Sequence, residues 1–207
     1  MRKKHIEIIL SQLAPHPKPK LKWEAYTLDA ESAAEIAYLA DGVNGDISEK
    51  SVIDLGCGTG ILAISASLSG ARFVVGVDID RDAVRVAREN ADTVGARVEF
   101  IIGDIGCVAG HFDTAIMNPP FGSWEHGADV KFLEKALPVS DVVYSLHKRS
   151  SPIREFLSRR IRSLGGRVDR IYEMRISIPR TYIFHQRQKY FVEADLYRIL
   201  KVKFQDL

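Results

Sequence analysis

Four consecutive residues, Asn118, Pro119, Pro120 and Phe121, close the apolar run "FDTAIM". Proline offers no N–H and fixes its own φ, so two in a row cannot continue a buried strand. The strand ends at Asn118, and the two prolines hold the chain beyond it rigid. Two acceptors result, the Asn118 side-chain oxygen and the Pro119 backbone carbonyl. An exocyclic amine such as N6 of adenine is a poor nucleophile, because its lone pair is delocalised into the ring. Two acceptors that take its N–H groups hold the nitrogen toward tetrahedral geometry. They also stabilise the positive charge that develops as it attacks an electrophilic methyl group. Phe121 offers a face on which the base can stack. No strong base is needed, since the proton leaves after attack. Asn118, Pro119, Pro120 and Phe121 are therefore the candidate catalytic residues.

The electrophile is legible further upstream. "DLGCGTG" places Asp54 before Gly56, Gly58 and Gly60, at a strand-to-helix turn. Glycines there permit a tight turn and close backbone approach to a ligand. A pyrophosphate binder uses G-x-G-x-x-G with the helix N-terminus aimed at phosphate. Here the spacing is G-x-G-x-G, and the preceding acid would repel a pyrophosphate. Asp54 would attract the ammonium and sulfonium charges of S-adenosylmethionine instead. Asp78, followed by Ile79, ends the next strand, where a carboxylate accepts from ribose hydroxyls. Asp104 ends the third, placed to accept from an adenine amino group. S-adenosyl-L-methionine is the expected cofactor, and no metal site is expected.

These residues need a frame that brings strand ends together. The chain has 207 residues, 46% hydrophobic and 27% charged, a balance ordinary for one globular domain. No apolar run is long enough to span a bilayer. The N-terminal apolar stretch is broken by Glu7 and has no small-residue cleavage site, so it is not read as a signal peptide. Cys57 and Cys107 are read as reduced thiols, and the protein as cytoplasmic. Residues 1–28 read as a basic N-terminal helix and extended segment, and 29–207 as the catalytic domain. From Ser51 onward strands and helices alternate, which predicts a parallel sheet covered on both faces. In "SPIREFLSRRIRSLGG" the helical period puts Ile153, Phe156, Leu157, Ile161 and Leu164 on one face. No helix separates 168–178 from 189–200, so these form an antiparallel hairpin, with Val192, Ala194 and Leu196 opposing Glu193 and Asp195. The expected fold is α/β: a single Rossmann-like domain with a seven-stranded, mostly parallel sheet, a C-terminal antiparallel hairpin and helices on both faces. An ordinary dinucleotide-binding domain would keep all strands parallel.

Residues 51–121 resemble class I S-adenosylmethionine-dependent methyltransferases that act on amines. The wider set "WEAYTLDAESAAEI", "DLGCGTGILAI", "GVDIDRDA", "FDTAIMNPPFG", "VVYSLHKRSS" and "PRTYIFHQRQKYFVEADLYRI" resembles, in an archaeal-like form, the family that places N6-methyladenosine in small-subunit ribosomal RNA. The resemblance implies cofactor contacts at Gly56, Thr59, Ile61, Asp78 and Asp104 and catalysis by residues 118–121. It also implies contacts just before the first core helix. There the family pattern Glu-Gln-Tyr-Pro-Thr is replaced by Glu24, Ala25, Tyr26, Thr27 and Leu28. Contacts at Ala25 and Leu28 are then apolar or through backbone. The family further implies a small zinc-binding activator that pairs with an edge strand, here 97–102; the alternative cover is the chain's own N-terminus.

Net charge is +2, but basic residues crowd into 1–22, 147–175 and 180–189 while acids gather in the first half. Such asymmetry suits a polyanion-binding face. His147, Lys148 and Arg149, with Arg180, Tyr182, Phe184, Arg187 and Lys189, form the expected RNA-binding rim: cations hold phosphates, and rings stack on unpaired bases. The rival activities are guanine-N2 methylation of ribosomal RNA and glutamine-N5 methylation of protein. A non-catalytic RNA-binding module and a nicotinamide-dependent oxidoreductase are rivals of another class.

Overall fold

A computed structural model describes residues 1–17, 28–120, 127–179 and 189–202. Seven strands, β1 (Ser51–Leu55), β2 (Phe73–Asp78), β3 (Glu99–Ile102), β4 (Phe112–Met117), β5 (Ser140–Lys148), β6 (Gly166–Pro179) and β7 (Lys189–Lys201), build one sheet. Their order is β3-β2-β1-β4-β5-β7-β6. Neighbours among β1–β5 are parallel, and β7 runs antiparallel to both β5 and β6. The expected α/β fold with its C-terminal hairpin is the one observed.

Strand residues alternate between two cores, as a period of two requires. Val52, Val74, Ile116 and Leu146 face helices α1 (Lys3–Leu10), α2 (Ala30–Ala37), α3 (Ile61–Leu68) and α4 (Arg81–Val94). Ile53, Val75, Ala115 and Val143 face α5 (Ala128–Val139) and α6 (Ser151–Ser163). Helix α1 buries Ile6 and Leu10 in the same core as α2 and α3, and Lys3 pairs with Glu35 on α2. Helix α2 starts where the side chain of Asp29 accepts from Ser32 N, as an N-cap should.

Three expectations shift. Phe156 does not join the buried face of α6; it is 48% exposed, while Leu157 and Ile161 carry the contact. Asp195, expected on the face opposite Val192, Ala194 and Leu196, is fully buried there and is engaged by Arg149 and Arg154. The edge strand begins at Glu99 rather than Arg97.

The chain steps outward from β1 to β2 and β3, then returns to the other side of β1 with β4. At such a reversal the connections diverge and leave a crevice beyond the strand ends.

Candidate active site

Register assembles the candidate residues. Leu55 pairs with Val77 on β2 and with Met117 on β4. Gly56, Asp78 and Asn118 therefore leave the sheet side by side. Asp78 is level with Ile102, and its carbonyl accepts from Gly103 N at 2.9 Å, which brings Asp104 to the same end.

The glycine loop is held by backbone. Gly56 N and Cys57 N both donate to the Val77 carbonyl, at 2.8 and 3.0 Å. Gly56 has φ +71°, and a Cβ there would lie 2.8 Å from Phe132 of α5. Both facts demand glycine. Gly60, at φ +86°, turns away toward Phe100 and Ala87. It shapes the start of α3 and does not line the cavity, contrary to the ligand-facing place expected of it.

The acids differ in their surroundings. Asp78 accepts from Gly58 N and Asp80 N, each at 2.8 Å, so it braces the loop while each oxygen keeps a further lone pair. Burial raises its pKa, and those two N–H groups oppose the rise. Asp54 is buried, and one of its oxygens accepts from Ala63 N at 2.9 Å. The other, Oδ1, has no partner among the described residues. Burial pushes its pKa up to about 8, against the Ala63 hydrogen bond and with help from the charge of Asp78. Asp104 is exposed and caps the short 3₁₀ turn Ile105–Cys107 by accepting from Gly106 N at 2.7 Å.

Between these groups lies a cavity of about 540 Å³, within the usual range for cofactor sites. Leu28, Asp54, Gly56, Gly58, Thr59, Ile61, Asp78, Ile79, Asp104, Asn118 and Pro120 all line it. Asn118 Oδ1 is the second buried oxygen on the cavity with no partner among the described residues. Pro119 is buried behind it. Ala25 and Phe121 fall outside the described residues.

The basic rim is only partly where it was expected. His147 is 2% exposed. Its Nε2 meets Ser145 Oγ at 2.6 Å, Nδ1 faces Asp129 at 3.6 Å, and its ring packs edge-on to Tyr197. It is an interior residue and not an RNA contact. Arg149 is spent on Glu173, Glu193 and Asp195, at 3.2, 3.1 and 3.1 Å. It ties β5 to the hairpin and is not a free phosphate ligand. Lys148 is exposed. Arg180, Tyr182, Phe184 and Arg187 lie outside the described residues, as does the side chain of Lys189.

Sequence reading missed several residues on the cavity. His16 comes from the N-terminal segment, and Lys131, Phe132, Glu134 and Lys135 come from α5. Lys135 also donates to the Gly106 carbonyl at 3.1 Å. The helical period of α5 marks a buried side but not what it faces.

A parallel sheet with an acid-ended crevice also serves dinucleotide enzymes; the antiparallel strand slotted between β5 and β6 separates the two classes. It places the protein among the class I S-adenosylmethionine-dependent methyltransferases. The fit is chemical as well as topological, since the lone Asp54 oxygen calls for a cation and the left-handed glycines admit close contact. The chain belongs to the methyltransferase small domain family, which it matches over residues 27–138. It is 38% identical to an uncharacterised protein of Methanocaldococcus jannaschii, covering 99% of this chain and 97% of that one. It is 33% identical to rRNA N(6)-adenosine-methyltransferase METTL5 of Danio rerio, over 96% and 98% of the two chains. A crystal structure from Pyrococcus horikoshii superposes with a TM-score of 0.90 at 38% identity, covering 98% of this chain and 99% of that one.

Proposed function

We propose that the protein methylates N6 of adenine in structured RNA, with small-subunit ribosomal RNA as the substrate. The observation that carries this reading is Asn118 Oδ1, a buried acceptor without a partner among the described residues, on the cofactor cavity. A buried acceptor left unpaired costs about 1–3 kcal/mol, a cost that an incoming N–H removes. Full-length relatives whose names state rRNA N(6)-adenosine methylation support the choice of substrate.

When bound, S-adenosylmethionine supplies a methyl group on a sulfonium. Asp54 would hold its positive end, Asp78 its ribose, and Ile79, Ile105 and Asp104 its base. Asn118 Oδ1 and the Pro119 carbonyl would accept the two N–H groups of the target amine and orient its lone pair. Phe121 would stack on the base. Lys148 and residues 180–189 would take the phosphates. Ile101 and Ile102 are 45% and 42% exposed on the edge strand β3. An apolar edge of this kind suits a strand-pairing cover, and the small zinc-binding activator implied by the family resemblance is our candidate for it. The chain's own residues 14–16 run over α4 instead.

Incubation with small-subunit ribosomal RNA and methyl-labelled cofactor, followed by nucleoside analysis, tests the proposal. Label in N6-methyladenosine is the expected result. Label in N2-methylguanosine or in protein would overturn it.

A further inference from the structure

We infer that residues 14–16 form a wall of the cofactor site and that His16 positions the nucleoside end of the cofactor. The inference rests on reading the cavity as the S-adenosylmethionine site. His16 lines that cavity and is only 9% exposed. Apart from Leu28 it is remote in sequence from the other wall residues, and the matched family domain begins only at residue 27.

Two hydrogen-bonded routes tie this segment to the glycine loop. In the first, Ala14 N donates to Asn90 Oδ1 at 2.8 Å, and Asn90 Nδ2 returns a bond to the Ala14 carbonyl at 3.1 Å. The same Nδ2 donates to the Thr59 carbonyl at 3.0 Å, inside the glycine loop. In the second, His16 Nε2 meets Asp80 Oδ2 at 3.3 Å. Asp80 N then donates to Asp78 Oδ1, and Asp78 Oδ2 accepts from Gly58 N, each at 2.8 Å. The strap is thus joined to the loop through α4 on one side and through the ribose-facing acid on the other. Its upstream end is fixed by the buried Ile6 and Leu10 of α1.

His16 meets Asp80, Asp80 hydrogen-bonds Asp78, and all three line the cavity. By the assignment above, the part at Asp78 takes the nucleoside. The imidazole lines the cavity there, and Asp80 fixes the ring by engaging Nε2. A plug that merely filled space would not need its ring nitrogen held by the residue that also hydrogen-bonds Asp78. In physical terms the strap is a positioning element, and the cofactor should in turn tighten it through both routes.

The experiment is calorimetry with S-adenosylhomocysteine on the wild-type chain and on His16→Ala and His16→Gln, with hydrogen exchange of the wild-type protein alongside. His16→Ala should weaken binding about tenfold, the scale of one good hydrogen-bonded contact. His16→Gln keeps a donor at a similar reach and should recover most of that loss. Each unliganded variant is titrated below the melting temperature that a thermal scan gives it, so that loss of binding is read on folded protein. The Ala14 and His16 amides should exchange more slowly when S-adenosylhomocysteine is bound. If the wild-type chain takes up no S-adenosylhomocysteine, the cofactor assignment itself falls. If it binds, yet His16→Ala binds equally well and the two amides do not respond, the assignment stands and the strap proposal falls.

Discussion

Replacing Asp54 by Asn tests what the buried carboxylate is for. With burial holding its pKa at about 8, Asp54 is about nine-tenths protonated at pH 7 in the unliganded protein. A cation seated on its unpartnered Oδ1 requires the charged form. Cofactor binding at pH 7 should then release nearly one proton. The apparent affinity should rise about twenty-five-fold between pH 6 and pH 8: a carboxyl of that pKa that must ionise on binding gives about fiftyfold, and the cofactor's α-amino group, near 8 and half deprotonated at pH 8, halves it. Loss toward acid is the sign expected, because the free state there holds a proton that the complex cannot keep. In Asp54→Asn the rise should vanish, and affinity at pH 8 should drop by roughly ten- to a hundredfold, the loss of a charge-assisted contact. Stability should move the other way. The folded protein binds more protons than the unfolded chain between about 4 and 8, so this acid lowers stability as pH rises through that range. At pH 8 the unliganded Asn variant should therefore melt higher than wild type. Titration calorimetry in two buffers of different ionisation heat measures proton release, and a thermal scan measures the rest. An affinity that is flat from pH 6 to 8, with no proton released, would refute the pairing of Asp54 with a cation.

Asn118→Ala should cost about a hundredfold or more in turnover while leaving cofactor affinity within about threefold; a collapse of binding measured by calorimetry would make Asn118 a structural residue instead. Gly56→Ala should destabilise the fold by about 1–2 kcal/mol or more, read by urea unfolding, because its φ is left-handed and its Cβ would meet Phe132. Reversing the charges of Arg180, Arg187 and Lys189 together should weaken RNA binding and flatten its salt dependence by about 0.7–0.9 per lost phosphate contact. The same affinity and slope in that triple variant would move the RNA face elsewhere.

The strand ends were readable because each rests on a local rule. A glycine triplet after an acid, an acid closing each apolar run and a proline-stopped strand are signals confined to a few residues, and the sheet order aligns them. What failed depends on partners far along the chain. His147 and Arg149 look like surface cations beside Lys148, yet the alternation of β5 turns His147 inward. Glu173, Glu193 and Asp195 arrive from β6 and β7 to engage Arg149. His16 sits in a proline-rich stretch with no periodicity at all, and the contacts of this stretch with Asn90 and Asp80 bring it to the site. Phe156 has the right spacing, but Leu157 and Ile161 already fill the contact that α6 makes.

The insertion of β7 between β5 and β6 also sets an order of events during synthesis. Of the seven described strands the last to leave the ribosome is an interior one, and it carries the fully buried Tyr197 and Ile199. Until it emerges, β5 has one unpaired side, and β6 has no neighbour to hold it against the sheet. A nascent or truncated chain would present this open edge to other chains, the hazard that a paired edge avoids. A stop codon ahead of β7 would therefore remove an interior strand of the sheet. Quality control would meet a sticky half-sheet rather than a slightly shortened enzyme.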